Sequence, residues 1–383
     1  MNRRAIKKYI GENFYLWVLA VLMFFITNPY FLWHIRFVMF SSLAFACISV
    51  RYWAKGALRN NLFIAILIVY IYYFFNSNLN INGVFVKLPI VFLFAIQPET
   101  LFNLVDKYKK VLACLLIPSI IFFVLYLLGF SLDGRLIDAY ESEKTCNYYS
   151  YPFFVHTDAQ VLPRFHAYFD EPGVLGSIGG MLLLADRFNL KKIDNVIVFI
   201  GSVLTFSLVF WAFFLVNFLF TSFKYKWLTI VFLSLVVIQL SQIEELSSFF
   251  YRLHFTNGKL NGLNRTSESF DAWYNGFLFS GDAIWGLGDG VAGKKDYGGY
   301  SYKHVIVNFG LVFFIYYITT FYSIALKNLG RTKHFVMWGI LFAICFYQRP
   351  SLQREEFVFV WLSLIYYIKY KSINVENGKL RVS

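Results

Sequence analysis

Charge is what this chain has least of. Only 15% of its 383 residues are Asp, Glu, Lys or Arg, against about 25% in soluble domains, and that shortage excludes an ordinary water-soluble globule. Cysteine is also sparse. Cys47, Cys114 and Cys345 fall in apolar runs and Cys146 stands alone in a polar one, so no disulfide can staple one polar loop to another. There is no Walker-type phosphate loop, no His-Glu-x-x-His, no Cys-x-x-Cys and no Asp-x-Asp, which leaves nucleotide hydrolysis, zinc chemistry and metal-bound nucleotide sugars without their usual signatures. His156-Thr157-Asp158 imitates a metal corner, but two ligands in a loop fall short of a site. Internal repeats, low-complexity tracts and a polar stretch long enough to fold alone are missing as well.

What is present is hydrocarbon. Hydrophobic residues make up 58% of the chain and aromatics 21%, and the mean hydropathy is +0.56. A helix crosses a bilayer with roughly 20 apolar residues, and this length holds about a dozen such segments with their loops. The composition therefore predicts one all-α, polytopic membrane domain over residues 1–383.

Apolar segments lie near 14–27, 30–50, 61–75, 84–97 and 111–129, then 174–186, 195–222, 227–241, 305–326, 335–347 and 357–370. Basic turns (Arg51, Lys55 and Arg59; Lys107, Lys109 and Lys110; Arg187, Lys191 and Lys192) alternate with neutral ones such as Asn28-Pro29 and Asn76 to Gly83. Under the positive-inside rule this orders the spans and puts both termini in the cytoplasm. The basic amino terminus has no small-x-small cleavage site after its apolar run, so it reads as a retained first span. Residues 195–222 run between two basic turns, which calls for a tight helical hairpin reversing near Thr205 to Ser207. Two larger outer loops result, 130–173 and 242–304, with Gln348 to Glu356 also outside. The inner turns then carry the basic excess and the outer loops a small acidic one, which together give the net charge of +13, so the basicity faces an anionic leaflet rather than nucleic acid.

Chemistry concentrates in those two loops. The first ends in Arg164-Phe165-His166-Ala167-Tyr168-Phe169-Asp170-Glu171-Pro172-Gly173-Val174-Leu175-Gly176, a charged stretch running straight into an apolar helix, where charge must offset its own desolvation. The second holds Arg265, Trp273, Tyr274, a Gly286-Leu287-Gly288-Asp289-Gly290 turn and His304 at the mouth of a span. Arginine suits pyrophosphate because its planar fork donates two parallel bonds. Glu171 and His304 are the candidate proton acceptors. His166, Tyr168, Trp273, Tyr274, Trp285 and Arg349 are candidate substrate contacts. Simpler roles compete with each. Arg164 can snorkel to the interface, Arg265 can be a solvated loop charge, and Glu171 can complement a helix dipole. His304 can be a satisfied interface residue, the aromatics belt anchors, the glycines turn formers, and Arg349 a partner for Glu355 or Glu356.

Arg-Phe-x-x-x-Phe-x-Glu-Pro-Gly-x-Leu-Gly, followed by an Arg-led aromatic segment, a Gly-x-Gly turn and a His before a span, resembles the O-antigen polymerase and ligase superfamily. Within it the closest fit is the Wzy-type O-antigen or capsule repeat-unit polymerase. The resemblance implies a GT-C-like, 12-span enzyme of the bacterial inner membrane with a periplasmic active site. It implies metal-independent, inverting transfer of a growing glycan from undecaprenyl pyrophosphate to the next lipid-linked repeat, without a cofactor, and a chain-length regulator as partner. The family's essential arginines fall on Arg164 and Arg265, and its histidine on His304. Arg265 is followed by ten residues and then Gly276, as the family spacing asks, whereas Arg164 reaches Gly176 one residue late. Pro172-Gly173 stands where ligases carry Pro-Asn, which favours a polymerase over a ligase acting on lipid A-core. A flippase, the non-enzymatic alternative, would need charge within the spans, and Lys87 and Arg36 lie close to outer ends.

Overall fold

The computed structural model describes residues 3–33, 37–56, 61–76, 81–137, 147–158, 163–220, 255–256, 259–260, 266–295, 301–348 and 355–376. The fold is predominantly helical. Helices α1 (Arg3–Ile26), α2 (Phe37–Ser49), α3 (Asn61–Asn76), α4 (Ile81–Leu93) and α5 (Pro98–Leu127) come first. They are followed by α6 (Pro172–Ala185), α7 (Ile193–Leu204) and α8 (Leu208–Phe220). Three shorter helices, α9 (Glu268–Phe277), α10 (Asp282–Trp285) and α11 (Val291–Lys295), lead to α12 (Tyr302–Leu329), α13 (Lys333–Gln348) and α14 (Glu355–Glu376). Among the described residues, α5 and α12 are long and apolar enough to cross a membrane by length and composition, while other helices contribute apolar stretches of 10–17 residues, such as Asn13–Ile26 of α1 and Phe357–Tyr366 of α14. The expected crossing at 227–241 lies outside the described residues.

α6 is the centre of the packing. All of its residues are buried, and at 1.5 Å per residue it is about 21 Å long, short of a hydrocarbon core of roughly 30 Å. The expected span at 174–186 is thus a helix enclosed by protein. Small residues on one face make the enclosure possible. A Cβ on Gly180 would come within 2.6 Å of the Phe213 ring, and one on Gly176 within 2.8 Å of the Thr205 and Ser207 hydroxyl oxygens. Such close approach is how helices associate where lipid supplies no hydrophobic drive between them. The partner surface is the α7–α8 hairpin, which reverses at residues 205–207 as the sequence predicts, with Phe206 in the left-handed region at φ 48°.

Three predicted features are corrected. The basic cluster at Lys107 to Lys110 is not a turn, because α5 begins at Pro98 and carries it within the helix. The segment near 30–50 is interrupted: a 3-10 turn at Tyr30–Leu32 precedes α2. The first outer loop adds strands to a domain expected to be all-α. It holds an antiparallel sheet of β1 (Arg135–Leu136), β2 (Tyr148–Tyr151) and β3 (Phe154–Thr157), whose hairpin closes through Tyr151 paired with Phe154. A second, two-stranded ribbon joins β4 (Phe255–Thr256) to β5 (Lys259–Leu260).

α5 absorbs its lysines because one of them finds distant partners. Lys109 is 2% exposed and pairs with Asp186, itself 2% exposed at the carboxyl end of α6. Lys109 also lies 3.2 Å from Asp194 of α7, and Lys192 lies 3.3 Å from Asp186. A carboxylate at a helix carboxyl terminus opposes the dipole, so Asp186 needs these cations. Removing one partner of a buried pair leaves the other charge uncompensated. Lys109→Met is expected to cost about 3–5 kcal/mol, read as a lower thermal unfolding midpoint in detergent, and Lys109→Met with Asp186→Leu to recover part of it. An unchanged midpoint in the single variant would contradict this reading.

Candidate active site

The Arg164 motif threads between α5, α7 and the sheet, and its backbone is fixed at each step. Phe165 N–H donates to Leu204 O at 3.1 Å, Ala167 O accepts from Val155 of β3 at 2.9 Å, and Tyr168 O accepts from Tyr30 at 3.0 Å. Ala167 takes the left-handed conformation, φ 51°, which turns the chain toward α6. The apolar side chains of the motif supply the anchor: the Phe165 ring lies 5.0 Å from Phe123, which also packs on Phe154.

Arg164 is held. Its Nε donates to Thr205 O at 2.9 Å and an Nη to Phe206 O at 3.3 Å, so the guanidinium plane is set by the same turn that joins α7 to α8. A loosely snorkelling side chain would not be pinned in this way. Glu171 follows as the residue capping α6 in extended conformation. Its backbone carbonyl takes the Val174 N–H at 3.1 Å, while its side chain makes no cap bond.

The two aromatic positions of this motif are occupied structurally. Tyr168 is 3% exposed, stacks on Tyr30 with centroids 6.2 Å apart, and donates its hydroxyl to Leu115 O at 3.0 Å. The expected sugar contact at Tyr168 is therefore replaced by a tie to α5. His166 is 1% exposed and donates from Nδ1 to Asp170 O at 3.2 Å. Burial, reinforced by His156 and Arg164, pulls the His166 pKa down to about 3, which keeps the ring neutral at physiological pH. Its neighbour His156, 6.3 Å away, is also lowered by burial, with Asp158 opposing the shift.

The second cluster is built on α9 and the start of α12. Ser267 caps α9 by accepting from the Phe270 N–H, and Glu268 and Asp271 occupy its first turn, where acid complements the dipole. His304 sits in the first turn of α12, 3% exposed and stacked on Phe270 at 5.0 Å. Its Nδ1 accepts from the Ser301 backbone N–H at 3.2 Å, so His304 plays the part that Glu or Gln takes in a capping box. With Nδ1 accepting, a neutral ring carries its proton on Nε2 and acts there as a donor. Tyr274 is buried, whereas Trp273 is half-buried beneath the Lys295 ammonium, 4.7 Å from the ring centroid. Arg265 and Arg349 lie outside the described residues.

Sequence reasoning missed a triad in this cluster. Lys303 pairs with Asp271, which also accepts from the Thr266 hydroxyl. The signal was in reach: Asp271 belongs to the Arg265-led segment and Lys303 adjoins His304. The Gly-rich turn, by contrast, forms as a turn, with Gly286, Gly288 and Gly290 all at positive φ. It docks on a break in α12, where Gly310 has φ 84°. Three successive carbonyls before the break bond outside the helix: Val307 to Leu287 N–H at 2.7 Å, Asn308 to Gly288 N–H at 3.0 Å and Phe309 to the Tyr72 hydroxyl at 3.1 Å. The turn thus meets the backbone groups that the kink would orphan. A Cβ on Gly286 would come within 2.6 Å of Asn308 O.

Among the described residues, no group of three or more His, Cys, Asp and Glu side chains is placed to hold a metal. No family model, curated protein or solved structure matches this chain.

The buried His166 generates a pH dependence. An unfolded histidine titrates near 6.5, and the folded one only near 3, so between those values the unfolded chain binds more protons. Stability is therefore fully present above about pH 6.5 and falls as the pH drops through that window. His166→Asn, whose amide can make the bond to Asp170 O, is expected to flatten the fall in thermal midpoint between pH 7 and 5. An equally steep fall would show that His166 does not contribute.

Proposed function

We propose that this chain is a metal-independent inverting glycosyltransferase of the Wzy type. It extends undecaprenyl-pyrophosphate-linked repeat units at the periplasmic face of a bacterial inner membrane, from a GT-C-like domain of about 12 spans with cytoplasmic termini. The observation that carries the reading is the preset guanidinium of Arg164, oriented by two carbonyls at the mouth of a wholly buried helix. A fixed cation lowers a barrier when charge builds beside it, because it needs no reorganisation at the moment of reaction. In this reading Arg164 and Arg265 hold the donor diphosphate and stabilise the charge released as the glycosidic bond breaks. Lys303, braced by Asp271, adds positive potential beside His304. An acceptor hydroxyl attacks from the opposite face, so one displacement inverts the anomeric carbon. A chain-length regulator is the partner that would limit product size.

The test uses purified protein and a synthetic undecaprenyl-pyrophosphate repeat unit, with product length read on a gel. Wild type is expected to lengthen the repeat. Arg164→Ala is expected to lower the rate by about 10²–10³-fold, beyond the loss of about 1–3 kcal/mol in stability that freeing the Thr205 and Phe206 carbonyls brings. In cells, Arg265→Ala is expected to leave surface glycan one repeat long. Polymer stranded on the lipid carrier would point instead to a ligase that moves glycan onto lipid A-core, and loss of export of the single repeat to a flippase. Failure of wild type to elongate under varied lipid conditions overturns the proposal.

A further inference from the structure

The Gly286 to Gly290 turn carries one carboxylate, Asp289, on a platform with little freedom to move. Backbone N–H groups of Leu287, Gly288 and Asp289 bond in succession to Val307 O, Asn308 O and Asn76 O, which ties the turn to both α12 and α3. The Trp285 carbonyl accepts from the Tyr72 hydroxyl at 2.7 Å, so the residue before the turn is fixed too. The carboxylate itself is oriented through one oxygen. Oδ1 accepts from the Gly290 N–H at 3.0 Å and from the Asn308 amide at 3.1 Å, and Asn308 is 2% exposed, its own oxygen taken by the Ala292 N–H. Both side-chain bonds fall on Oδ1, and Oδ2 has no hydrogen-bond partner among the described residues. Trp285, the residue that leads into the turn, is 60% exposed and offers an aromatic face of the kind on which a sugar ring stacks.

The residues named from sequence as proton acceptors are less well arranged. His304 spends Nδ1 on the Ser301 N–H and is buried against Phe270, and Glu171 is the half-buried residue that opens α6, on a motif already assigned to the donor diphosphate. We infer that Asp289 is the acceptor-activating base, with Trp285 as the stacking surface for the acceptor sugar; this rests on the transferase reading above. In the step assigned to it, the acceptor hydroxyl oxygen forms a bond to the donor's anomeric carbon as the bond from that carbon to the diphosphate oxygen breaks. The bonding pair leaves on the diphosphate, and the hydroxyl proton passes to Asp289 Oδ2, from which water removes it.

The surroundings favour proton uptake. Burial raises the Asp289 pKa, with the bonds from Gly290 and Asn308 opposing the rise, and a carboxylate of raised pKa is a stronger base. The groups presented to the turn are Tyr72 and Asn76 from α3, the neutral Asn308 from α12, and Lys294 of α11, whose N–H bonds to Gly290 O at 3.3 Å.

Asp289→Asn is the discriminating variant, since an amide oxygen can accept both bonds made to Oδ1 and only the proton-accepting oxygen is lost. Elongation of the synthetic lipid-linked repeat is measured from pH 4 to 8 alongside the thermal midpoint. The expected result is a loss of about 10²–10⁴-fold in rate, an unchanged midpoint and disappearance of the acid limb of the pH profile, with Asp289→Glu retaining part of the rate. Asp289→Ala is expected to regain rate with added formate, which a structural defect would not. If wild type elongates and Asp289→Asn stays within about threefold with the same acid limb, the assignment is overturned and the transferase reading stands. If wild type itself does not elongate, the transferase reading fails and the inference fails with it.

Discussion

Arg164 donating to the carbonyls of Thr205 and Phe206 is the contact on which the first half of the site depends. Those carbonyls belong to a turn forced into a left-handed residue at Phe206, and the turn can sit there only because Gly176 presents no side chain to Ser207 and Thr205. Side chain, turn and helix face are therefore one unit. Charge is placed at the mouth of a buried helix by a packing arrangement that tolerates no added methyl group, which is how a guanidinium can be held ready in a largely apolar protein.

The second half follows the same logic with backbone in place of side chain. A kink in α12 would leave carbonyls unpaired, and in apolar surroundings that costs several kcal/mol per group. Leu287, Gly288 and Tyr72 satisfy them, so the break and the turn require each other. In the proposed mechanism this matters because the turn that repairs the helix also carries Asp289 and Trp285.

How much was legible from the residues varies with how local the cause is. The reversal at Thr205 to Ser207 was legible because residues 195–222 run between two basic turns, which a single crossing would put on opposite sides. The turn at Gly286 to Gly290 was legible because positive φ favours glycine. Lys107 to Lys110 misled because a cluster of lysines reads as a cytoplasmic turn, whereas Lys109 is neutralised by Asp186, 77 residues away. The sheet at residues 135–157 was missed because its strands are only two to four residues long, too short for alternation to show. At the candidate site, Arg164 and Glu171 stand out as charge set against hydrocarbon, whereas the spacing of Tyr168 says nothing of Tyr30 and Leu115, which enclose it. The break at Gly310 was also invisible, since a lone glycine in an apolar run looks like any packing glycine.

The central claim is that the Arg164 motif and the cluster from Thr266 to His304 grip one lipid-linked diphosphate together. Photo-crosslinking with an undecaprenyl-pyrophosphate sugar carrying a diazirine beside the diphosphate, followed by peptide mapping, tests it most directly. The account predicts adducts on residues 164–171 and on residues 265–304, both competed by unlabelled donor. Adducts confined to one of the two segments, or adducts that unlabelled donor does not displace, would contradict it.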